Sequence, residues 1–350
     1  MSSMSSEFAG VLHEMLDGAD VPAVARRWAA GDLAPGLALW RRLAGLGVTG
    51  LAVPEKQGGL GASPLDLVAA CEELGHHAVP GPVPETLAAV PVLLAGLGSG
   101  AGAGSGAGSG PGLPEEWLSG LVSGELIATL AMPPWLPFAA DTEAAGLILV
   151  AADGVVRVGG AGTPRRSVDS TRSVADVADG AVLGTASGLA VEFGALACAA
   201  QLLGAGRALL GASVRHVQVR TQFGRPVGAF QAVKHKLADV AIALEFARPL
   251  LGAAALSLDG ALGSGVLGGG VLGGGVLGGG TGAAGRDVSA AKVACGDAAY
   301  LAARAALQVH GAIGYTEEHD VSLWLTKIRA LLPTWGTQAE HRARLLACIS

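Results

Sequence analysis

The chain has 350 residues, a formal net charge of −6, and 51% hydrophobic but only 4% aromatic residues, with 56 glycines diluting the bulky core. That length exceeds one ordinary core and suits two or three modest domains. The acidic balance and the scattered Lys and Arg argue against a nucleic-acid grip, which needs cations clustered against phosphates.

The N-terminus, MSSMSSEFAG, lacks a basic stretch followed by an apolar one, and no run of about 18 bulky apolar residues appears later. Neither a signal peptide nor a membrane span is expected. Cys71, Cys198, Cys295 and Cys348 lie far apart without a CxxC, and only Cys71 has histidines nearby, His76 and His77. Neither a disulfide framework nor a metal site is expected, and a reducing cytoplasm fits.

Leu39, Trp40, Leu43 and Leu46 recur at helical spacing. Val53-Pro54 and Gly58-Gly59 interrupt the pattern before Leu65, Leu67, Val68, Cys71 and Leu74 resume it. This spacing predicts a helical domain over 1–124. Within it, the tract Gly98 to Gly112 can bury almost nothing and reads as a flexible loop.

From 125 to 187 the texture changes to short runs such as LILVAA and VVRV among Gly, Asp and Pro, the pattern of a small β-domain. A C-terminal domain over 188–350 follows. Leu189 to Val219 reads as one long amphipathic helix, ended by the break Phe223-Gly224-Arg225-Pro226. Phe230, Val233, Leu237, Val240 and Leu244 open a second helix, and 286–310 and 317–332 supply two more. Four helices in sequence pack most simply as an antiparallel bundle. Between them, the tract 263–285 repeats VLGGG three times and reads as a Gly-rich loop, with a tiny solenoid as the alternative.

Two segments carry chemistry. At the break, Arg220 offers a planar fork of donors suited to a phosphate, Gln222 and Gln231 donate and accept, and Phe223 supplies a flat face. Such a set could hold the ADP half of a dinucleotide, and it equally describes a capped helix end with a solvated Arg. In Gln308-Val-His-Gly-Ala-Ile-Gly-Tyr-Thr, Gly311 and Gly314 permit close backbone approach to a ligand and Thr316 suits an N-cap. A plain helix-to-helix turn fits that segment as well. No strand leads into a GxGxxG. His235 and His310 read as packing or hydrogen-bonding residues, and His76-His77 as a surface pair.

Taken together, these motifs resemble the acyl-CoA dehydrogenase family over nearly the whole chain. Gly45 to Gly61 and Glu72-Glu73-Leu74-Gly75 resemble its N-terminal helical domain. LVSGELIATLAMP and Asp169 to Arg172 resemble parts of its middle domain, and RTQFGRPVGAFQAVKHKLADV and QVHGAIGYTEEHD its two C-terminal signatures. The resemblance implies a mainly α fold with a small β-barrel between a helical domain and a four-helix bundle. It implies FAD as cofactor, an acyl-CoA substrate and an electron-transfer flavoprotein as oxidant. Arg220, Gln222, Phe223, Gln231, Gln308, Gly311 and Gly314 would then contact the ADP portion of FAD held at a subunit interface. Ala312 departs from the family, which usually has a second Gly there.

Two further departures concern the reaction. The family abstracts an α-proton with a carboxylate, often a Glu before a Gly-Thr near the C-terminus; here Trp335 precedes Gly336-Thr337. Other members carry the base 26 residues before the signature Arg, which is Gly194 here, and Glu192 lies about 200° around the helix from it. The family's Thr-Glu-Pro and Ala-Gly-Ser-Asp, which face flavin and substrate, are replaced by Ala131 to Asp141, AMPPWLPFAAD. No catalytic residue is therefore assigned. The pattern resembles the base-lacking subunit of actinobacterial heteromeric (α2β2) acyl-CoA dehydrogenases of steroid side-chain degradation, which implies a second subunit as partner. A self-sufficient homomeric enzyme using Glu192 and a flavin-free scaffold are the competing readings.

Overall fold

The computed structural model describes residues 3–97, 114–263 and 282–348. Six helices open the chain: α1 (Ser3–Asp17), α2 (Val21–Ala29), α3 (Ala34–Gly45), α4 (Pro64–His76), α5 (Val90–Leu97) and α6 (Pro114–Ser123). Helix α4 starts sharply because Ser63 and Asp66 form a reciprocal capping box ahead of Pro64, whose missing N–H is harmless in a first turn. A turn of π-helix, Glu85–Ala89, leads into α5.

Seven strands follow: β1 (Ala128–Ala131), β2 (Ala139–Ala140), β3 (Leu147–Ala152), β4 (Val155–Ala161), β5 (Arg165–Arg166), β6 (Ser173–Ala175) and β7 (Val177–Thr185). One sheet has the order β1-β3-β4-β7 and a second β2-β6-β5. β1 runs parallel to β3, with Ala128 opposite Leu147. β3 turns into β4 at Asp153-Gly154, both at positive φ, the geometry a two-residue hairpin prefers.

The C-terminal layer comprises α7 (Leu189–Val219), a hairpin of β8 (Thr221–Gln222) and β9 (Arg225–Pro226), then α8 (Gln231–Gly263), α9 (Gly282–His310), α10 (Val321–Leu331) and α11 (Gln338–Ala347). Helix α7 is the axis, packing against α4, α8, α9 and α10. Helices α7 and α8 are both long and apolar enough to cross a bilayer, yet α7 is nearly all enclosed by protein, as a core helix is. Helix α8 is mostly exposed, with Ile242, Phe246 and Leu250 in solvent on successive turns.

Contact between α4 and α7 is backbone to backbone. A Cβ at Gly204 would lie 1.8 Å from the Glu72 carbonyl oxygen, and one at Gly75 would lie 2.2 Å from that of Gln201. Only glycine fits at this crossing, because a methyl has nowhere to go in a close-packed interior.

Three expectations are corrected here. Helix α9 begins at Gly282, so Gly263 and 282–285 belong to helices rather than to the expected loop; 264–281 and the tract 98–112 lie outside the described residues. Helix α10 begins at Val321 with Asp320 as its cap position, not at 317 behind Thr316, whose hydroxyl donates to the Ile313 carbonyl at 3.0 Å. Helix α11 was not anticipated, although Thr337 and Glu340 form a capping box spaced as such boxes are in sequence.

Replacing Gly204 with Ala should therefore destabilise the protein by about 3 kcal/mol, the upper range for overpacking. Denaturant unfolding would show a lower midpoint at unchanged slope.

Candidate functional site

Two regions hold the residues singled out by sequence. The first is a surface cleft of about 410 Å³ where the end of α7, the start of α8 and the end of α9 meet. Helix α7 stops at Arg220, whose backbone turns extended. The β8–β9 hairpin then reverses through Phe223 and Gly224, both at positive φ. Across the cleft, α9 ends at His310, and Gly311 takes φ +64 with open space where a Cβ would stand.

Arg220, Gln222, Gln308 and Gly311 line this cleft together with Lys236 and Ala312. Neither Arg220 nor Lys236 forms a salt bridge among the described residues. Two cations and two amides around an unobstructed glycine are a donor set suited to a pyrophosphate, so these residues fit the ADP portion of a dinucleotide. Gln222 at present donates to the neighbouring Thr221 carbonyl at 2.9 Å. Lys236, one helical turn beyond Phe230 to Gln231, was missed in the sequence; its signal was a basic residue on the face that the break exposes.

The other three candidates stand apart. Phe223 is 91% exposed at the hairpin tip, edge-on to Phe230 at 6.1 Å. Gln231 is exposed at the start of α8, outside the cleft wall. Gly314 is buried, its Cβ position 3.1 Å from His310 Cβ, which gives it a packing role within this chain.

The second region is the interior between α7, the π-turn and the segment linking α10 to α11. Trp335 is fully buried there at φ +59. Its indole Nε1 donates to Glu85 Oε1 at 3.1 Å, and a Cβ on Gly194 would lie 2.5 Å from its ring. The two positions that sequence comparison offers for a base, 194 and 335, thus face each other, and an indole fills the space between them. Trp135, from the segment lacking the family's polar groups, closes over Gly336 and accepts a hydrogen bond from its N–H at 2.9 Å.

Buried polar groups lock this plug. The fully buried Lys292 donates to the Leu332 carbonyl at 3.1 Å, and burial holds its ammonium below the usual lysine value. His341 Nε2 donates to the Trp335 carbonyl at 2.8 Å, so its Nδ1 accepts from Ser289 Oγ at 3.1 Å. Burial pushes the Glu85 carboxyl above the ordinary range, against the pull of Arg172. Burial likewise pushes Asp141 up to about 7, although it accepts from the Ser173 N–H at 2.9 Å. Glu192, the remaining base candidate, is buried in a two-pronged ion pair with Arg344 of α11, which binds both of its oxygens. That pairing leaves it poorly placed to take a proton from a substrate.

Comparison with known proteins agrees with this architecture. The family description "Acyl-CoA dehydrogenase, N-terminal domain" matches residues 6–98, and "Acyl-CoA dehydrogenase, C-terminal domain" matches 186–349. Acyl-CoA dehydrogenase IpdE2 of Mycolicibacterium smegmatis is 30% identical over 319 residues, covering 88% of this chain and 87% of that protein. Among solved structures, the Tcur3481-Tcur3483 steroid ACAD G363A variant superposes with TM-score 0.77 at 22% identity, over 99% of this chain and 97% of that one. The ChsE4-ChsE5 complex of Mycobacterium tuberculosis gives TM-score 0.76 at 20% identity, over 100% and 98%. At those identities the structural likeness is one of fold.

Two outcomes follow from the plug. Glu192→Gln should cost about 3–5 kcal/mol of stability by removing the buried carboxylate that both Arg344 terminal nitrogens bind, read from unfolding curves. Burial holds His341 down to about 4 whereas an unfolded histidine titrates near 6.5, so acid protonates the unfolded chain first. The contribution of neutral His341 is complete above about pH 6.5 and is lost as pH falls towards 4, by up to about 1.4 kcal/mol per pH unit. Unfolding measured at stepped pH should show that slope, and His341→Gln should flatten it.

Proposed function

The chain belongs to the acyl-CoA dehydrogenase family, and we propose that within it the chain is the base-lacking subunit of a heteromeric, FAD-dependent enzyme. A second, unlike subunit supplies the proton-abstracting carboxylate, in an α2β2 assembly acting in the cytoplasm. The observation that carries this reading is the Trp335 indole packed against Gly194, which occupies the place where a base and an acyl chain would have to meet.

In this reading the chain's own work is binding. FAD, when bound, supplies the acceptor for the substrate's β-hydride. Arg220 and Lys236 would neutralise its pyrophosphate, Gln222 and Gln308 would hydrogen-bond the nucleotide, and the open side of Gly311 would admit it. Phe223 and Gln231 lie outside the cleft but exposed beside it, where a neighbouring subunit's nucleotide would reach them. Within the chain, Trp335 and Trp135 exclude water and acyl chain alike, so a pair of unlike subunits holds one complete flavin site.

Exposed Ile242, Phe246 and Leu250 along α8 supply an apolar face for that partner. The substrate is a bulky, steroid-derived acyl-CoA thioester, a choice supported by relatives whose names specify a steroid enzyme and a two-protein complex. An electron-transfer flavoprotein is the proposed oxidant. The homomeric reading is disfavoured by the engagement of Glu192 with Arg344, and the scaffold reading by the cationic cleft around Arg220.

Produced alone, the chain should retain little flavin, and co-produced with its partner it should yield a yellow, active complex with one FAD per unlike pair. Arg220→Ala should lower the FAD content of that complex, while Glu192→Gln should leave turnover per bound flavin unchanged. Full FAD occupancy and turnover by the single purified chain would overturn the reading.

A further inference from the structure

We propose that α1 and α4 together form a binding site for a divalent transition metal of the zinc class, with His13, His77 and Asp17 as ligands and Glu73 behind them. The residues come in two pairs, His13 with Asp17 on α1 and Glu73 with His77 just across the end of α4. Residues four apart share one helical face, the spacing by which a helix chelates one ion with two side chains. The packing of α1 on α4 brings the pairs together, so that donor atoms of His13, Glu73 and His77 lie within 4.8 Å of one another.

The ring nitrogens at this spot already point at acidic oxygens. His77 Nδ1 lies 2.9 Å from the Glu73 carbonyl oxygen, which can only accept, so Nδ1 donates there and Nε2 stands 3.0 Å from Asp17 Oδ1. His13 Nδ1 is 2.7 Å from Glu73 Oε2, and its Nε2 is 3.4 Å from Asp17 Oδ2. Two ring nitrogens from two helices thus face one carboxylate, and a divalent cation among them would be bound by all three side chains.

The spacing and the surroundings suit zinc. Zinc bonds of about 2.0–2.1 Å require ligand atoms roughly 3.3 Å apart, and here His77 Nε2 stands 3.0 Å from one Asp17 oxygen and His13 Nε2 3.4 Å from the other. Two imidazoles and a carboxylate are a donor set that zinc favours, with a fourth position left for water. Both imidazoles already have their second nitrogen fixed, one by a carboxylate and one by a backbone carbonyl, as metal-bound histidines do. Arg207 of α7 in turn holds Glu73 Oε1 at 3.2 Å and Glu72 Oε1 at 2.6 Å. The Asp17 side chain is 66% exposed, so an ion and its water can enter from solvent. His76 adds a third ring 5.3 Å from His13 and 5.0 Å from His77, its buried Nδ1 without a hydrogen-bond partner.

Cobalt(II) is the probe. Metal-stripped protein in its purified complex, titrated with Co2+, should take up one ion per chain with visible ligand-field bands that Zn2+ displaces, and Zn2+ should raise its Tm reversibly to EDTA. Asp17→Asn, an exposed change that keeps the side chain's shape, and His13→Gln should each weaken uptake at least about 100-fold, since even partners behind the ligands contribute 10–100-fold. His319→Ala, whose ring packs 5.3 Å from His310 rather than against the proposed ligands, should leave it intact. Absence of the bands, equal uptake by the Asp17→Asn and His13→Gln variants, or loss confined to His319→Ala would overturn the proposal. So would ring-nitrogen NMR of Zn2+-saturated protein showing both His13 and His77 doubly protonated at neutral pH.

Discussion

The whole chain turns on the contact of two helices without side chains between them. Gly75 and Gly204 let α4 and α7 meet at backbone distance. From that crossing, Glu72 and Glu73 reach Arg207, and the π-turn that follows α4 in the chain brings Glu85 to the interior of the bundle. A bulkier residue at either glycine would separate the N-terminal layer from the bundle and dissolve both arrangements at once.

The interior that results is arranged for rigidity. Trp335 is gripped at its indole by Glu85 and at its carbonyl by His341, while Lys292 ties down the Leu332 carbonyl just before it, and each partner is itself buried. Buried polar groups engaged in this way favour one geometry, because displacement leaves a donor without its partner in a poorly polarisable medium. The exterior has the opposite character: cations without a salt bridge among the described residues at the Arg220 cleft, and large apolar side chains left in water. This division places the ordered part inside and the open groups outside.

Much of this was legible before any coordinates. Helix α7 runs over the span that its apolar spacing predicts, since a helix enclosed on all sides declares itself by length and composition. Arg220, Gln222, Gln308 and Gly311 share a cleft because two short, polar interruptions of long helices fall at the same end of one bundle. What local pattern could not supply was any contact between distant segments. Trp335 against Gly194 is visible only once α7 and the α10–α11 link are packed, and the pairing of Glu192 with Arg344 only once α11 is in place. His76-His77 read as a surface pair for the same reason: His13 lies on another helix, and the four-residue spacings on α1 and α4 gain meaning only when those helices touch.

Phe223 sits on a two-residue turn that holds an aromatic ring almost wholly in water, and the apolar stripe of α8 lies in solvent as well. Water tolerates such a surface poorly, so the chain on its own is drawn towards any hydrophobic body it meets, other copies included. With the proposed unlike subunit covering that face, supply of the two polypeptides in equal amounts becomes a condition of solubility, independent of whether the reaction is needed.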